Sequence, residues 1–445
     1  MDIEEKINIV KEVGEEIVNE KELRELFEKK EHPIAYDGFE PSGRIHIAQG
    51  LLRSINVNKL TSTGIKFRFW VADWFGMLNN KMGGDLDKIR IVGEYFIEVW
   101  KACGMDLDNV EFIWTSEFIT EHPEYWTTVL KLSMNASVKR VLRCGQIMGR
   151  EDSVSNPSSQ ILYPLMQAAD IHHLEADIAQ LGMDQRKVNM LARDVFPKLG
   201  FVPPVVVSHH MLMGLSEPKR MNGTIILSPG KEKEIHGYIF LLNATKTIIK
   251  NGKQLIEFSI QARKIGSKHP PIQLVFVEGE HYYNKDLDIE LFYNNPKDGI
   301  SIFQYDLKLE GTDASIAKKM SKSNPNSAIF MTDSEDEIEK KFKKAWCPEG
   351  LVEDNPVLEY FKYIVFEKYD KILIERPEKF GGNLELNSYE ELEKTFTEKK
   401  VHPLDIKNTC AKYINELLGP IRNHFKENEK AKKLLEQVNN FQVTK

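Results

Sequence analysis

The chain has 445 residues, 41% of them hydrophobic and 29% charged, which is the composition of a globular protein with two or three domains. Its formal charge of -7 excludes a protein that coats nucleic acid through bulk electrostatics. No apolar run approaches the ~20 residues that a membrane-spanning helix needs, so we expect no membrane partner. The acidic start resembles neither a secretory signal nor a transit peptide, and we expect a cytoplasmic location.

The first elements predicted along the chain are one or two amphipathic helices, because Ile3, Ile7 and Val10 recur at helical spacing. From residue 34, short apolar stretches alternate with helical ones, which is typical of a doubly wound parallel sheet. The expected strands are residues 34–39, 67–72, 110–114 and 205–207, and the expected helices are residues 45–60, 86–103, 126–133 and 161–195. This pattern predicts an α/β fold with a Rossmann-like domain over residues 1–215.

The rest of the chain changes character twice. Residues 216–313 carry scattered turn signals and strand candidates such as Ile272–Val277, and we expect an inserted module of unknown role there. A lysine-rich loop region follows at residues 314–335. Residues 336–445 show helical periodicity without strand alternation, which predicts a separate, mostly helical C-terminal domain.

The first candidate site lies between the strand at residue 34 and the helix expected after it. Ligands bind in that crevice of a doubly wound sheet. Gly38 and Gly43 would let a nucleotide approach the backbone, while His46 and Gln49, three residues apart near a helix N-terminus, would donate to phosphate. The alternative is a Gly-Pro turn that merely joins the strand to the helix.

The second candidate site is the loop at residues 318–325, which combines lysines with small hydroxyl residues. Lys319 and Lys322 would form a mobile clamp that meets a triphosphate as charge develops on the leaving pyrophosphate. The alternative is a solvated lysine loop. The two motifs together, separated by a whole α/β domain, are far more specific than either alone.

The two motifs resemble the HIGH and KMSKS signatures of class I aminoacyl-tRNA synthetases. The first reads His-Ile-Ala-Gln at residues 46–49 and departs from the signature at its last two positions, whereas the second is intact at residues 319–323. The resemblance implies ATP as a substrate, accompanied by Mg²⁺. It implies catalysis by His46, Gln49, Lys319 and Lys322, and ATP binding by Gly38, Gly43, His46, Met320, Ser321 and Ser323.

Within that class, residues 30–215 and 317–425 resemble the tyrosyl enzymes of archaeal and eukaryotic type, chiefly through residues 163–170 and 182–187. Helical spacing places Tyr163, Gln167 and Asp170 on one face, where buried polar groups need partners. The resemblance implies ligation of tyrosine to tRNA by a homodimer. It implies that Tyr36 and Asp170 bind the substrate phenol and that Tyr163, Gln167 and Gln185 surround its ammonium group. The alternative for Asp170 is a core residue satisfied by backbone.

A third constellation lies in the C-terminal domain, where an aromatic ring, an imidazole and a carboxylate occur at Phe380, His402 and Asp405. Such groups can stack a base and accept from the N1 and N2 donors of guanine. The resemblance implies that they read the first anticodon base of tRNA. The alternative is a helix cap by Asp405 with Phe380 in the core.

Other readings were weighed against this one. A tryptophan-specific relative shares the fold, but indole offers only one donor to the pair of polar groups. A non-catalytic, synthetase-like protein that binds through its tRNA-binding domain or the insertion would be marked by loss of the lysines of the second motif, which are present. Another small-molecule adenylyl or cytidylyl transferase would not explain the C-terminal set. The histidine pairs at residues 172–173 and 209–210 lack further ligands nearby, so we expect no protein-bound metal. Asp73 follows the second strand and is a weak candidate for facing the nucleotide.

Overall fold

The computed structural model describes residues 1–145, 157–218, 221–227, 230–235, 238–250, 253–264, 271–277, 281–284, 289–297, 300–307, 319–320 and 324–441. The chain divides into two compact units, one formed by Met1–Glu217 with Lys318–Lys445 and the other by Pro218–Ala317. The predicted division into four parts, with bounds after residues 215, 313 and 335, stays a prediction.

The centre of the first unit is a six-stranded sheet. Its strands are β1 (Gly14–Val18), β2 (Ile34–Phe39), β3 (Lys66–Val71), β4 (Val110–Trp114), β5 (Ile178–Ala179) and β6 (Val205–His209). They follow the order β1-β6-β5-β2-β3-β4, and neighbours are parallel except β1 and β6. Side chains alternate along β3, so that Phe67 and Phe69 join one core and Trp70 joins the other. The predicted Rossmann-like α/β fold is confirmed.

Helices cover both faces of this sheet. They are α1 (Ile3–Val13), α2 (Glu20–Lys29), α3 (Leu51–Ser62), α4 (Asp73–Leu78), α5 (Leu86–Ala102), α6 (Thr115–Glu121), α7 (Glu124–Asn135), α8 (Val138–Gly145), α9 (Ser159–His173) and α10 (Arg186–Leu199). Helices α1, α3 and α5 pack on the core that contains Phe67, whereas α7, α9 and α10 pack on the core that contains Tyr36 and Trp70. Asp85 caps α5 by accepting from the Lys88 backbone N–H at 3.2 Å.

The helix predicted from residue 45 begins later, at Leu51. Residues 47–50 form turns, because the Ile45 carbonyl accepts from the Met331 N–H at 3.1 Å and the Gln49 N–H donates to the His46 carbonyl at 2.9 Å, so the bond from residue 49 to residue 45 that a helix needs is absent. The Ile47 N–H donates to the Ile329 carbonyl at 2.8 Å. His46 and Gln49 therefore lie in a turn before α3 and not on the face of its first turn. The spacing of apolar residues near residue 45 could not predict this turn, because the pairing with residue 329 joins parts of the chain that are far apart in sequence.

Two short strands escaped the sequence analysis. Strand β1 lies among glutamates that read as helix, and its strand geometry comes from antiparallel pairing with β6, for example Ile17 opposite Val207. The helix predicted over residues 161–195 is interrupted by β5, whose two residues pair with β2 and β6. In both cases the partner strand decides the conformation and the local sequence does not.

The second unit is built from antiparallel strands. They are β7 (Met221–Leu227), β8 (Glu232–Ile235), β9 (Tyr238–Lys250), β10 (Lys253–Lys264), β11 (Ile272–Val277), β12 (His281–Asn284), β13 (Ile289–Lys297) and β14 (Ile300–Leu307). Within the described residues they form two four-stranded sheets, ordered β11-β10-β9-β8 and β12-β13-β14-β7. Leu242, Phe258 and Leu274 are buried on three neighbouring strands of the first of these sheets. The strand candidate at Ile272–Val277 corresponds to β11.

The C-terminal part of the first unit is mostly helical. It contains α11 (Glu335–Lys344), α12 (Pro356–Tyr360), the hairpin of β15 (Ile372–Ile374) and β16 (Leu384–Leu386), α13 (Tyr389–Thr397), α14 (Pro403–Glu427) and α15 (Glu429–Asn440). Phe425 of α14 lies 5.5 Å from Tyr95 of α5, ring centre to ring centre. Across the parts of the chain that the structure describes, no helix is long and apolar enough to span a membrane.

Candidate functional site

Two tyrosines and an aspartate meet between the sheet and helices α7 and α9. Tyr36 of β2 and Asp170 of α9 are each 1% exposed. The Tyr36 hydroxyl has no hydrogen-bond partner among the described residues. Tyr125 of α7 donates its hydroxyl to Asp170 Oδ1 at 2.6 Å and lies 2.8 Å from the Met166 carbonyl oxygen. The alternative reading of Asp170, a carboxylate satisfied by backbone, does not describe this contact.

The electrostatics of this cluster favour an incoming polar group. Burial raises the pKa of Asp170 well above its usual range, and the hydrogen bond from Tyr125 acts in the opposite direction. Burial, and after it the charge of Asp170, raises the pKa of Tyr36 well above its usual range, so that its hydroxyl keeps its proton. A buried polar group without a partner costs about 1–3 kcal/mol, which a ligand hydroxyl would recover.

Tyr125 was not singled out by any sequence motif. It lies at the start of α7, and only the packing of α7 on α9 brings its hydroxyl to Asp170. The sequence signal was limited to an aromatic residue at the beginning of a predicted helix.

The other end of the predicted pocket holds amides and a second carboxylate. Gln167 Nε2 donates to Gln185 Oε1 at 3.1 Å, so two of the three predicted residues are in contact. The Tyr163 hydroxyl donates to Glu40. Glu40 also accepts from Asn79 Nδ2 at 3.1 Å. Glu40 lies inside the motif at residues 36–49 and was left without a role, although a carboxylate there is a suitable neighbour for an ammonium group.

The turn at residues 46–50 is held by a distant part of the chain. His46 is 8% exposed and forms an isolated antiparallel bridge with Phe330. The Trp100 indole donates to the Gln49 carbonyl at 2.8 Å. The Gln49 side-chain oxygen is buried without a partner among the described residues. A polar atom in that state is available to a ligand.

The glycines of the turn meet different constraints. Gly43 has φ of 85°, a left-handed conformation that other residues adopt only with strain. A Cβ at Gly50 would lie 2.6 Å from Met331 Cγ, so any other residue there would force the Met331 side chain to move. A Cβ at Gly38 would lie 3.7 Å from Trp70 Cβ, an ordinary contact distance. The fold alone therefore explains Gly43 and Gly50 but not Gly38.

The start of the lysine loop is fixed to the tyrosine side of the site. Lys319 forms an isolated bridge with Met213, and the Met320 N–H donates to the Leu212 carbonyl at 3.0 Å. The Lys319 ammonium lies 2.8 Å from Asp184 Oδ2, next to Gln185 in sequence. The structure thus brings Lys319, the first lysine of the motif at residues 319–323, to the predicted amino-acid pocket. Ser321, Lys322 and Ser323 lie outside the described residues.

A buried ion pair supports β2 on the face opposite Tyr36. Arg53 Nε lies 2.9 Å from Asp37 Oδ2, with the two side chains 1% and 5% exposed. Burial raises the pKa of Asp37 to about 7, although Arg53 acts to lower it. Arg53 also donates to the Gln180 carbonyl at 3.1 Å. Because Asp37 follows Tyr36 directly, the pair fixes the strand that carries the Tyr36 hydroxyl.

Asp73 serves the fold. It is fully buried and accepts from the Ser116 N–H at 3.0 Å and from the Ser116 hydroxyl. Arg90 Nη1 lies 3.5 Å from Asp73 Oδ2, the oxygen that also accepts from the Ser116 hydroxyl. These contacts account for its carboxylate without a nucleotide.

The C-terminal set is exposed. Phe380 is 62% exposed, so the alternative that places it in the core is wrong. His402 caps α14, because its Nδ1 accepts from the Leu404 N–H at 3.1 Å, so the alternative that makes Asp405 the cap is also wrong. Asp405 lies in the first turn of α14 and is partly buried. Phe380 and His402 are thus exposed to solvent, and Asp405 lies just below the surface.

Arg376 holds the loop of Phe380 to the start of α14. Its Nη1 donates to the Lys400 carbonyl at 2.7 Å, and its Nε donates to the Gly382 carbonyl at 2.9 Å. Gly382 closes the turn that contains Phe380, and Lys400 precedes His402 by two residues.

The paired histidines face different partners. His172 stacks on Phe201 at 3.7 Å, and His173 contacts Thr128 Oγ1 at 2.9 Å. His209 contacts Gln180 at 3.2 Å, and His210 lies between Glu15 and Glu359. In the described parts of the chain no group of three His, Cys, Asp or Glu residues is placed to hold a metal ion.

Comparison with known proteins gives consistent results. The family of tRNA synthetases class I (W and Y) matches residues 28–264 and 308–419. Tyrosine–tRNA ligase 1, cytoplasmic, of Arabidopsis thaliana is 40% identical over 446 residues, which cover 100% of this chain and 90% of that protein. The solved tyrosyl-tRNA synthetase of Pyrococcus horikoshii, complexed with L-tyrosine, is 33% identical with a TM-score of 0.73, and the match covers 98% of this chain and 100% of that one. The Leishmania major enzyme with tyrosinol is 36% identical with a TM-score of 0.72, and all of this chain spans 61% of it.

Proposed function

The chain belongs to the class I tRNA synthetases of the tryptophan and tyrosine type, and we propose that it is a tyrosine–tRNA ligase. It activates tyrosine with ATP to tyrosyl-adenylate and transfers the tyrosyl group to the 3′ end of tRNA. The observation that carries this proposal is the unpartnered, buried Tyr36 hydroxyl beside the buried carboxylate of Asp170. A phenol donates to one of these groups and accepts from the other.

The same pair explains selection of the amino acid. Phenylalanine would supply neither a donor to Asp170 nor a partner for the Tyr36 hydroxyl, and its rejection by tyrosyl enzymes is the known example of this effect. Indole has only one donor and no acceptor, so it would leave the Tyr36 hydroxyl unsatisfied. At the other end, Gln167 and Gln185, in contact at 3.1 Å, and Tyr163 receive the ammonium group. Their carbonyl and hydroxyl oxygens are acceptors.

The first half-reaction is a displacement at phosphorus. A carboxylate oxygen of tyrosine attacks the α-phosphate of ATP, and the bond to pyrophosphate breaks with its electron pair leaving on pyrophosphate. No side chain acts as a covalent nucleophile, so catalysis rests on positioning and on charge stabilisation. His46 and Gln49 do this from the turn before α3, and Lys319 and Lys322 do it from the loop. The contact between Lys319 and Asp184 at 2.8 Å supports a loop that reaches the amino-acid side.

ATP enters this site between the turn and the loop, with Mg²⁺ bound mainly by its own phosphates. Its proposed contacts are Gly38, Gly43, His46, Met320, Ser321 and Ser323. The support comes from Gly38, where the fold leaves room for a side chain that the sequence does not have. A smooth backbone surface at that point suits the approach of a nucleotide.

The C-terminal set is the proposed reader of the tRNA anticodon. Phe380, with more than half of its surface open to solvent, can stack on an unstacked base. The Asp405 carboxylate can accept from the N1 and N2 donors of guanine, and His402 lies at the same helix start. Arg376 supports this arrangement because it ties the loop of Phe380 to that helix start.

A homodimer is proposed on the basis of an apolar patch on α7, α8 and the start of α9. The patch consists of Trp126, Leu130, Met134, Val138, Leu142, Ile161 and Leu162, which are 37–84% exposed. Large apolar side chains exposed together on helices that pack on one another are typical of a protein interface. A second copy of the chain fits because an interface formed by one self-complementary patch closes a symmetric dimer.

The name of the Arabidopsis relative supports a cytoplasmic location.

The test of the proposed function is ATP–pyrophosphate exchange with each of the twenty amino acids. Tyrosine should be the only amino acid that gives strong exchange, and charging of total tRNA should require tyrosine as well. A preference for tryptophan would contradict the tyrosine pocket. Absence of exchange with every amino acid would favour the non-catalytic binding protein.

A further inference from the structure

The Tyr125 hydroxyl lies between two acceptors and has only one proton to donate. Asp170 Oδ1 is 2.6 Å away and the Met166 carbonyl oxygen is 2.8 Å away. The carboxylate is the nearer acceptor, and a hydrogen bond to an ionised group is about twice as strong as one between neutral groups. When Asp170 is ionised, the Tyr125 hydroxyl therefore donates its hydrogen bond mainly to Asp170 and not to the Met166 carbonyl oxygen.

The reverse arrangement has a different consequence for the pocket. If Asp170 were protonated, it would donate to Tyr125, whose own proton would turn to the Met166 carbonyl oxygen. Asp170 would then be a weak acceptor for a ligand. The two arrangements differ by one proton, and the Tyr125 hydroxyl favours the ionised one because it is a donor aimed at the carboxylate.

We propose that Tyr125 is a positioning residue for the choice of tyrosine over phenylalanine, since its hydroxyl holds Asp170 ionised and leaves Oδ2 to accept the substrate phenol. This rests on the proposed tyrosine pocket. Tyr125 does not contact the substrate in this scheme and acts only through Asp170. It is 0% exposed, and the ring of His173 lies 5.2 Å from its own, so its hydroxyl is confined to this position.

The surroundings of Asp170 make its ionisation depend on hydrogen bonds. The titratable groups that interact with its charge are the hydroxyls of Tyr36 on β2, Tyr125 on α7 and Tyr163 on α9 itself. Burial raises the pKa of Asp170, and hydrogen bonding by Tyr125, followed by that of the Trp70 indole, opposes this rise. Removing the donor should raise the pKa further. Tyrosine binding needs the ionised carboxylate. On acidification, the variant without the donor should therefore lose tyrosine binding at a higher pH than the wild type does.

The experiment compares Tyr125→Phe with Tyr360→Phe in the full-length enzyme. Tyr360 is a matched control, because it is equally buried, its hydroxyl lacks a partner among the described residues, and it lies on α12 away from the pocket. In pyrophosphate exchange, Tyr125→Phe should raise the KM for tyrosine about tenfold with little change in kcat. The preference for tyrosine over phenylalanine should fall by a similar factor, and the acid limb of the KM profile should move to higher pH. Tyr360→Phe should change none of these.

An Asp170→Asn background separates this inference from the pocket itself. If Tyr125 acts through Asp170, its replacement should have no further effect on discrimination there. Unchanged discrimination in Tyr125→Phe alone, while Asp170→Asn loses it, would overturn the role of Tyr125 and leave the pocket standing. Unchanged discrimination in both variants would overturn the pocket and the inference together.

A second variant keeps the test decisive if Tyr125→Phe is unstable. Tyr125→His retains a ring N–H donor, and at pH 8 its discrimination should lie between wild type and Asp170→Asn. Discrimination as low as that of Asp170→Asn, in a protein with wild-type thermal stability, would contradict the proposal.

Discussion

The tyrosine pocket and the C-terminal set differ most in their access to water. Tyr36 and Asp170 are 1% exposed, whereas Phe380 is 62% exposed. The buried pocket keeps a hydroxyl without a partner, which lowers the stability of the fold until a ligand arrives. The exposed set has no such penalty, and backbone contacts such as those of Arg376 hold it in place. In the proposed function, the site for the small substrate thus lowers the stability of the core, whereas the site for tRNA lies at the surface and has no such cost.

The largest expected effect tests the buried side of this comparison. Asp170→Ala should lower kcat/KM for tyrosine and weaken the preference for tyrosine over phenylalanine. The expected loss corresponds to about 1.5–3 kcal/mol of transition-state stabilisation, the usual value of a hydrogen bond to a charged group. Pyrophosphate exchange with both amino acids measures this. Unchanged discrimination would remove Asp170 from the pocket. Asp405→Ala serves as the control, because it should leave exchange intact.

The matching change on the exposed side is Asp405→Ala. It should reduce tRNA charging by about 1–3 kcal/mol, the usual contribution of a good base contact, and relax the preference for guanine at the first anticodon position. Charging of transcripts varied at that base, with pyrophosphate exchange alongside, measures both. Parallel loss of exchange would mean that the two regions are not separate.

Phe380→Ala should weaken tRNA binding by a similar or smaller amount, about 1–3 kcal/mol for loss of stacking, with less change in base preference. Because the ring is largely exposed, the thermal midpoint should stay at the wild-type value. Binding of tRNA and thermal unfolding are the measurements. A marked drop in the midpoint would restore a core role for Phe380.

The smallest expected effect is on stability. Tyr36→Phe removes the buried hydroxyl that has no partner, and should leave the free energy of unfolding unchanged or raised by up to about 1 kcal/mol. The same variant should bind tyrosine more weakly. Chemical denaturation and tyrosine binding measure the two effects. A destabilised Tyr36→Phe would show that the hydroxyl already has a partner in the free protein.

The sequence predicted the elements whose side chains pattern locally and missed those that depend on distant partners. Strand β3 and helix α5 follow from their own alternation and periodicity, whereas β1 is a strand only because β6 lies beside it. The turn at residues 46–50 was taken for helix because its pairing with residues 329–331 joins distant segments. Sequence motifs indicated the residues of the proposed pocket, whereas the contacts of Tyr125 with Asp170 and of Glu40 with Tyr163 depend on how α7 and the residues after β2 pack on α9.

The attachment of the inserted segment between β6 and the lysine loop affects how freely the length of that segment can change. Met213 and Lys319 flank this segment and form an antiparallel bridge. The points where the chain leaves and re-enters the first unit therefore lie side by side, like the two strands of a hairpin. The entropy of closing such a loop rises by only about 0.6 kcal/mol for each doubling of its length. Residues can therefore accumulate or disappear at this point over evolutionary time with little change in the stability of the first unit. The junction at Met213 and Lys319 therefore tolerates changes in the length of the inserted segment.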